Sequence, residues 1–172
     1  MLNICFMGAK QAGIIGALTI LAKGNQISAA VSYSADLTGV LDSLGVPVYK
    51  SIADQGFVQK LRHSDVFFSV HGREIVPAEF LRLPKYGAVN VHPYLYKYKG
   101  ADPIQRALKD QEFKGSVGAH LMQQGLDQGE ILTEEFVDVT GSQSVADIYQ
   151  RLYPFYSTTI LKALDIISQR PN

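Results

Sequence analysis

The sequence predicts an α/β fold: a mostly parallel sheet with flanking helices and an antiparallel hairpin near the C-terminal part. Three observations carry that reading. Short apolar runs alternate with helix-patterned segments through the first half of the chain. Residues 116–122 and 131–137 then read as two strands joined by a connection too short for a crossover helix, so they pair antiparallel. The chain has 172 residues, 47% of them hydrophobic, which suits one substantial core. No repeat, low-complexity tract or linker interrupts it, and residues 1–172 are read as a single domain.

The elements follow in order. Residues 2–7 form an apolar run that ends at Gly8. In residues 12–23, Ile14, Ile15, Leu18 and Leu21 recur at helical spacing, and Gly24 stops the helix. Residues 27–32 read as a second strand and 37–44 as a short helix ending at Gly45. A brief strand at 46–49 precedes a helix at 54–61. Residues 66–70 and 88–91 are buried-strand patterns, the second after a turn at 84–87. Residues 144–168 are mostly helical. Ser144 is the N-cap, with Asp147 where a capping box has Glu or Gln, and Pro154 is expected to start or kink a turn.

Composition excludes several classes of protein. Lys plus Arg (16) equals Asp plus Glu (16), so no global charge favours nucleic acid or an anionic membrane. Cys5 is a lone cysteine in an apolar run. It cannot form an internal disulfide and fits a buried position in a reducing compartment. The first residues lack a signal-peptide pattern, and apolar runs fall far short of the ~20 residues a membrane span needs. A cytoplasmic protein is expected, with no membrane partner and no metal.

Ligands of open parallel sheets bind beyond the carboxyl ends of the strands. Gly8-Ala9-Lys10-Gln11-Ala12-Gly13 lies at one such end, where backbone N–H groups can meet an anion. Lys10 occupies the place of a second glycine, and Asp36 is the nearest acid to the second strand's end. A plain tight turn therefore competes with a phosphate cradle, and a dinucleotide fingerprint is incomplete. Asn90-Val91-His92 lies at another strand end. Its alternate side chains share a face, so an amide and an imidazole point the same way. That pair suits an oxyanion and proton transfer, although Asn and His at strand ends also serve as turn and capping groups. Asp127 sits in the glycine-bracketed turn Gly125-Leu126-Asp127-Gln128-Gly129. It reads either as an Asx-turn residue or as an acid that orients His92.

Three ordered stretches, HGREIVPAEFLRLPKYGAVNVHPYL, KYKGADPIQRALKD and GSVGAHLMQQGLDQGEIL, resemble the formyltransferases that use 10-formyltetrahydrofolate as co-substrate. The resemblance covers about residues 1–137 and implies a Rossmann-like sheet. It assigns Asn90, His92 and Asp127 the catalytic positions. It implies folate contacts from Arg73, Glu74, Ile75 and Val76 and from the loop containing Gly125 and Leu126. Ile75 and Val76 also read as core packing. Gly8, Lys10, Tyr94 and Lys97 are the expected acceptor contacts, with Lys99 and Arg106 close to Lys97. Where the family's loop reads H-x-S-L-L-P, this chain reads His92-Pro93-Tyr94-Leu95-Tyr96-Lys97, one residue shorter and with Tyr94 for serine. The departure bears on the acceptor more than on the reaction.

The expected function is formyl transfer to the primary amine of a small phosphorylated or nucleotide-linked acceptor, with a homo-oligomer compatible with it. The family's tRNA-directed members carry a further C-terminal domain, and this chain ends soon after its last helix. Its hydrolases carry an N-terminal regulatory domain, whereas this chain opens on its first strand. A 10-formyltetrahydrofolate hydrolase and a non-catalytic binding module on the same scaffold are the alternatives. His120 reads as structural because it alternates with apolar neighbours, His71 as a supporting group near the folate mouth, and His63 as surface.

Overall fold

The computed structural model describes residues 1–125 and 127–171. Its first strand, β1 (Asn3–Gly8), is followed by α1 (Lys10–Ala22), β2 (Gln26–Ser32), α2 (Ala35–Ser43), β3 (Val48–Tyr49) and α3 (Gln55–Arg62). Then come β4 (Val66–Val70), α4 (Ala78–Leu81), β5 (Ala88–Pro93), α5 (Pro103–Lys109), β6 (Lys114–Leu121), β7 (Ile131–Asp138) and α6 (Val145–Ser168). The sheet order is β3-β2-β1-β4-β5-β6-β7. β1 to β5 pair in parallel, and β5-β6-β7 pair antiparallel. This is the expected mixed sheet.

The apolar content of β1 and β4 follows from their place. Both lie inside the sheet and are covered on both faces, so neither strand alternates with polar residues. Successive side chains instead divide between two cores. Ile4, Phe6, Phe68, Val89 and Val91 join one cluster with residues of α1, α2, α5 and α6. Cys5, Met7, Phe67 and Ala88 join the other with Phe57 and Leu61 of α3. The second cluster stops on β5 at Ala88. Asn90 and His92 come next on the same face, so polar chemistry begins where that core ends.

α6 forms as one helix and begins with a complete capping box. The Asp147 N–H donates to Ser144 Oγ at 3.1 Å, and the Ser144 N–H donates to Asp147 Oδ2 at 3.0 Å. Aspartate therefore fills the role usually given to Glu or Gln. Pro154 neither starts nor ends this helix. Its ring removes one N–H, but Pro154 and Gln150, whose carbonyl loses its donor, are both exposed, so water can replace the bond.

Tyr156, on the buried face of α6, is fully enclosed, and its hydroxyl has no hydrogen-bond partner among the described residues. An unpaired buried hydroxyl costs on the order of 1–3 kcal/mol. Tyr156→Phe should therefore leave stability unchanged or raise it by about 1 kcal/mol, read by urea unfolding. A loss of stability would show that the hydroxyl is satisfied in solution. Among the described residues no helix is long and apolar enough to cross a membrane.

Candidate active site

Four side chains meet beyond the second core. Asn90 and His92 alternate on β5, and the sheet register sets His120 of β6 directly opposite Asn90. Asp127 reaches them from the turn between β6 and β7. Its carboxylate is the hub, only 8% exposed. Oδ1 accepts from Asn90 Nδ2 at 3.2 Å and lies 3.2 Å from His120 Nε2. Oδ2 accepts the Gly100 N–H at 2.7 Å and lies 3.2 Å from His92 Nε2.

Those partners fix the hydrogens. His92 Nε2 faces two acceptors, Asp127 Oδ2 and the Gly100 carbonyl at 3.1 Å, so Nε2 carries the proton. Its Nδ1 is buried with no hydrogen-bond partner among the described residues. His120 Nδ1 lies 3.0 Å from the Leu121 carbonyl and must donate to it. His120 Nε2 then meets the Asp127 carboxylate, to which it donates as the doubly protonated ring, and lies 3.4 Å from the Asn90 amide nitrogen. Burial alone would raise the Asp127 pKa. The His120 hydrogen bond, the His92 charge, the Gly100 N–H and the His120 charge outweigh it and hold the carboxyl well below the usual range.

The turn that presents Asp127 is built for this approach. Gly129 passes so close to the Leu121 carbonyl oxygen that no side chain fits. Asp127 itself has φ 50°, in the left-handed region. Lys10 (φ 57°), His71 (62°), Tyr94 (54°) and Asp102 (52°) share that conformation. All lie in or beside the loops around the carboxyl ends of β1, β4 and β5. The remaining non-glycine of positive φ among the described residues, Gln111 (54°), lies between α5 and β6, so most of this backbone strain falls at the carboxyl end of the sheet.

Several expectations change here. His120, read from sequence as structural, is placed within the site: it is paired with Asp127 and stands beside Asn90. Its two-residue alternation concealed the register that brings it opposite Asn90. Gly100, whose N–H and carbonyl both enter the site, is invisible to a search for reactive side chains.

Tyr94 is 0% exposed, and its hydroxyl donates to the Glu112 carbonyl at 3.2 Å. It supports the loop from beneath and does not line an acceptor surface, which corrects the expectation. Leu95 closes down on Gly118, the β6 partner of His92, where a Cβ would fall 2.6 Å from its Cδ2. Lys97 is paired with Glu112 at 2.6 Å, and Arg106 donates to the Lys99 carbonyl.

Gly8 ends β1 beside Val70. In the loop that follows, the Ala9 N–H donates to the Val70 carbonyl and the Lys10 N–H to Ser34 Oγ. Two donors of the supposed anion cradle are thus already used. Arg73 is exposed, Glu74 is half-buried, Val76 is buried and Ile75 is 88% exposed, so of the latter pair only Val76 is core. Gly125 adopts a positive φ, and Leu126 lies outside the described residues. His63 is exposed, as expected.

His71 packs its ring 5.9 Å from that of Tyr149. Burial, with the Lys10, Arg73 and His92 charges, pushes its pKa down to about 4. Below the ordinary histidine value of 6.5 the unfolded chain takes up a proton that the folded one resists, so stability falls as pH drops from 6.5 toward 4. The partly solvated ring should contribute on the order of 1–2 kcal/mol. His71→Asn tolerates the positive φ and should flatten that limb in urea unfolding measured from pH 7 to 4.5. An unchanged slope would assign the limb elsewhere.

The fold and site together define an α/β domain with an amide, two imidazoles and a carboxylate at the carboxyl edge of its sheet. The chain belongs to the formyl transferase family, whose family model matches residues 46–164. A methionyl-tRNA formyltransferase of Lachnospira eligens is 29% identical over 95% of this chain and 58% of its own length. One from Alkaliphilus metalliredigens is 35% identical over 61% of this chain and 34% of its own. The chain thus spans about half the length of the curated relatives it matches. In fold it resembles phosphoribosylglycinamide formyltransferase from Anaplasma phagocytophilum, with TM-score 0.83, 20% identity, and coverage of 98% and 87% of the two chains. A formyltetrahydrofolate deformylase from Pseudomonas syringae pv. tomato shares it at TM-score 0.77 and 16% identity, over 94% of this chain and 59% of that one.

Proposed function

We propose that this protein transfers the formyl group of 10-formyltetrahydrofolate to the primary amine of a small acceptor, one that is phosphorylated or nucleotide-linked. The observation that carries the reading is His92. One ring nitrogen is fixed by Asp127 and Gly100, while the other is buried and has no partner among the described residues. Such an imidazole is oriented and has one nitrogen left for a reacting group. Asn90 stands two residues away on the same face. Its long 3.4 Å contact to His120 is the one most readily exchanged for a developing oxyanion.

The amine attacks the formyl carbon, and the carbonyl electrons move to oxygen. Asn90 Nδ2 donates to that oxygen, and so does His92 Nδ1 once the ring has taken a proton from solvent, which it returns on collapse; Nε2 stays held on Asp127 and Gly100 throughout. Collapse expels the folate nitrogen, which takes the proton lost by the amine through water held at Asp127. The loop from Arg73 to Val76 and the turn at Gly125 hold the donor. Gly8 and Lys10 lie on the acceptor side, and Lys97 is reachable only if it leaves Glu112.

The balanced charge of the chain favours a small acceptor. The names of the curated relatives favour a tRNA instead. The deciding experiment follows tetrahydrofolate release from 10-formyltetrahydrofolate with amino-sugar nucleotides, glycinamide ribonucleotide, amino acids and methionyl-tRNA. Release that depends on a small amine supports the reading. Release without any amine indicates a hydrolase, release only with methionyl-tRNA replaces the acceptor, and no folate binding at all indicates a binding module.

A further inference from the structure

A second polar cluster stands apart from the four side chains of the active site. The Glu74 carboxylate accepts from the Tyr33 hydroxyl at 2.6 Å, the Ser51 hydroxyl at 2.7 Å and the Ile52 N–H at 3.3 Å. Tyr33 follows β2, Ser51 and Ile52 follow β3, and Glu74 follows β4. One side chain therefore ties together loops from three strand ends.

The receiving side is itself ordered. Asp54 accepts the N–H groups of Lys50 and Ser51, the Ala53 N–H donates to Ser51 Oγ, and Ile52 is buried in the second core. Burial, then the Glu74 hydrogen bond and charge, keep the Tyr33 phenol protonated and so a donor.

The consequence falls on the next residue. Val76 anchors the segment in the second core at 8% exposure, and Glu74 anchors it through its carboxylate. Between the two anchors Ile75 stands 88% exposed. A short segment held at both ends has few other conformations to visit, so the outward position of Ile75 is imposed by its neighbours.

The geometry points to Glu74 as a positioning residue for the formyl donor: tied to Tyr33, Ser51 and Ile52, it fixes residues 73–76 in the shape that receives the donor's ring system and holds Ile75 out as an apolar contact for it. This inference rests on the donor site proposed above. Glu74 touches no reacting atom, so its effect belongs in donor binding and not in the chemical step. A loop ordered in advance does not have to be ordered on binding.

The test measures donor KM and kcat, with folate Kd by calorimetry, in wild type, Glu74→Ala and Glu74→Gln. Glu74→Ala should raise donor KM about tenfold and leave kcat within about twofold, because preorganisation is lost while the reacting groups remain. Glu74→Gln should recover most of the affinity. Its oxygen can serve Tyr33 and Ile52, and its NH2 can donate to Ser51 Oγ.

Amide exchange across residues 73–76 is read without ligand and should quicken in Glu74→Ala only. Equal impairment of Glu74→Gln would mean that the carboxylate charge contacts ligand directly, which overturns the positioning role. Quickened exchange with unchanged donor affinity overturns this inference and leaves the proposed function standing. A folded wild type that binds no formyl donor overturns the function beneath it.

Discussion

Asn90→Ala should lower formyl-transfer turnover by about 10²–10³-fold, the cost of losing one donor to a developing oxyanion. The protein should remain folded. Asn90 is only half-buried, and its strand is held by backbone pairing to Ser69 and His120 on either side. The substitution removes the amide that donates to Asp127 Oδ1, but that oxygen keeps His120 as a partner. The carboxylate therefore stays satisfied, and most of the loss should appear in kcat. Steady-state kinetics with circular dichroism as the folding check decide it. A folded Asn90→Ala with wild-type kcat would remove the amide from the mechanism, and a change confined to KM would make it a ground-state contact.

Element types and topology were legible because the hydrophobic pattern changes with structural role. β1 and β4 read as continuous apolar runs since both faces are covered, and the short β6–β7 connection forced the antiparallel pair. That Pro154 does not start a new helix depends on whether the carbonyl it frees can reach water, and sequence alone does not show that α6 turns Gln150 outward.

At the site, Asn90, His92 and Asp127 were visible as reactive types in ordered motifs. His120 was hidden because its role comes from cross-strand register, and Gly100 because its role is entirely backbone. Tyr94 was misjudged for the opposite reason. A tyrosine in a loop near a site suggests a ligand contact, yet this one is drawn under the loop by Glu112 and the core.

Asp127 is the residue whose replacement should cost most, and Asp127→Asn shows why. The carboxylate serves donors on both oxygens: Asn90 Nδ2 and His120 on one, and the Gly100 N–H and His92 on the other. An amide cannot do this. With its NH2 toward Asn90, two amide donors face each other. With its NH2 toward Gly100, it meets the backbone N–H that gave the 2.7 Å bond. Either rotamer breaks the hub, and His92 loses the carboxylate that fixes which nitrogen carries its proton. Turnover should fall by about 10²–10⁴-fold, the range expected when an oriented acid–base group is lost. The same substitution changes the acid limb of stability. Because the folded pKa of Asp127 lies below its ordinary 3.8, the unfolded chain takes up a proton near that pH while the folded chain does not. The stabilisation is complete above that value and is lost as pH falls toward the folded pKa. Wild type should therefore lose thermal stability as pH falls below about 4 more steeply than Asp127→Asn, whose side chain does not titrate. Parallel melting curves together with undiminished turnover in Asp127→Asn would show that the buried carboxylate is neither the hub of the site nor a charged group in the folded protein.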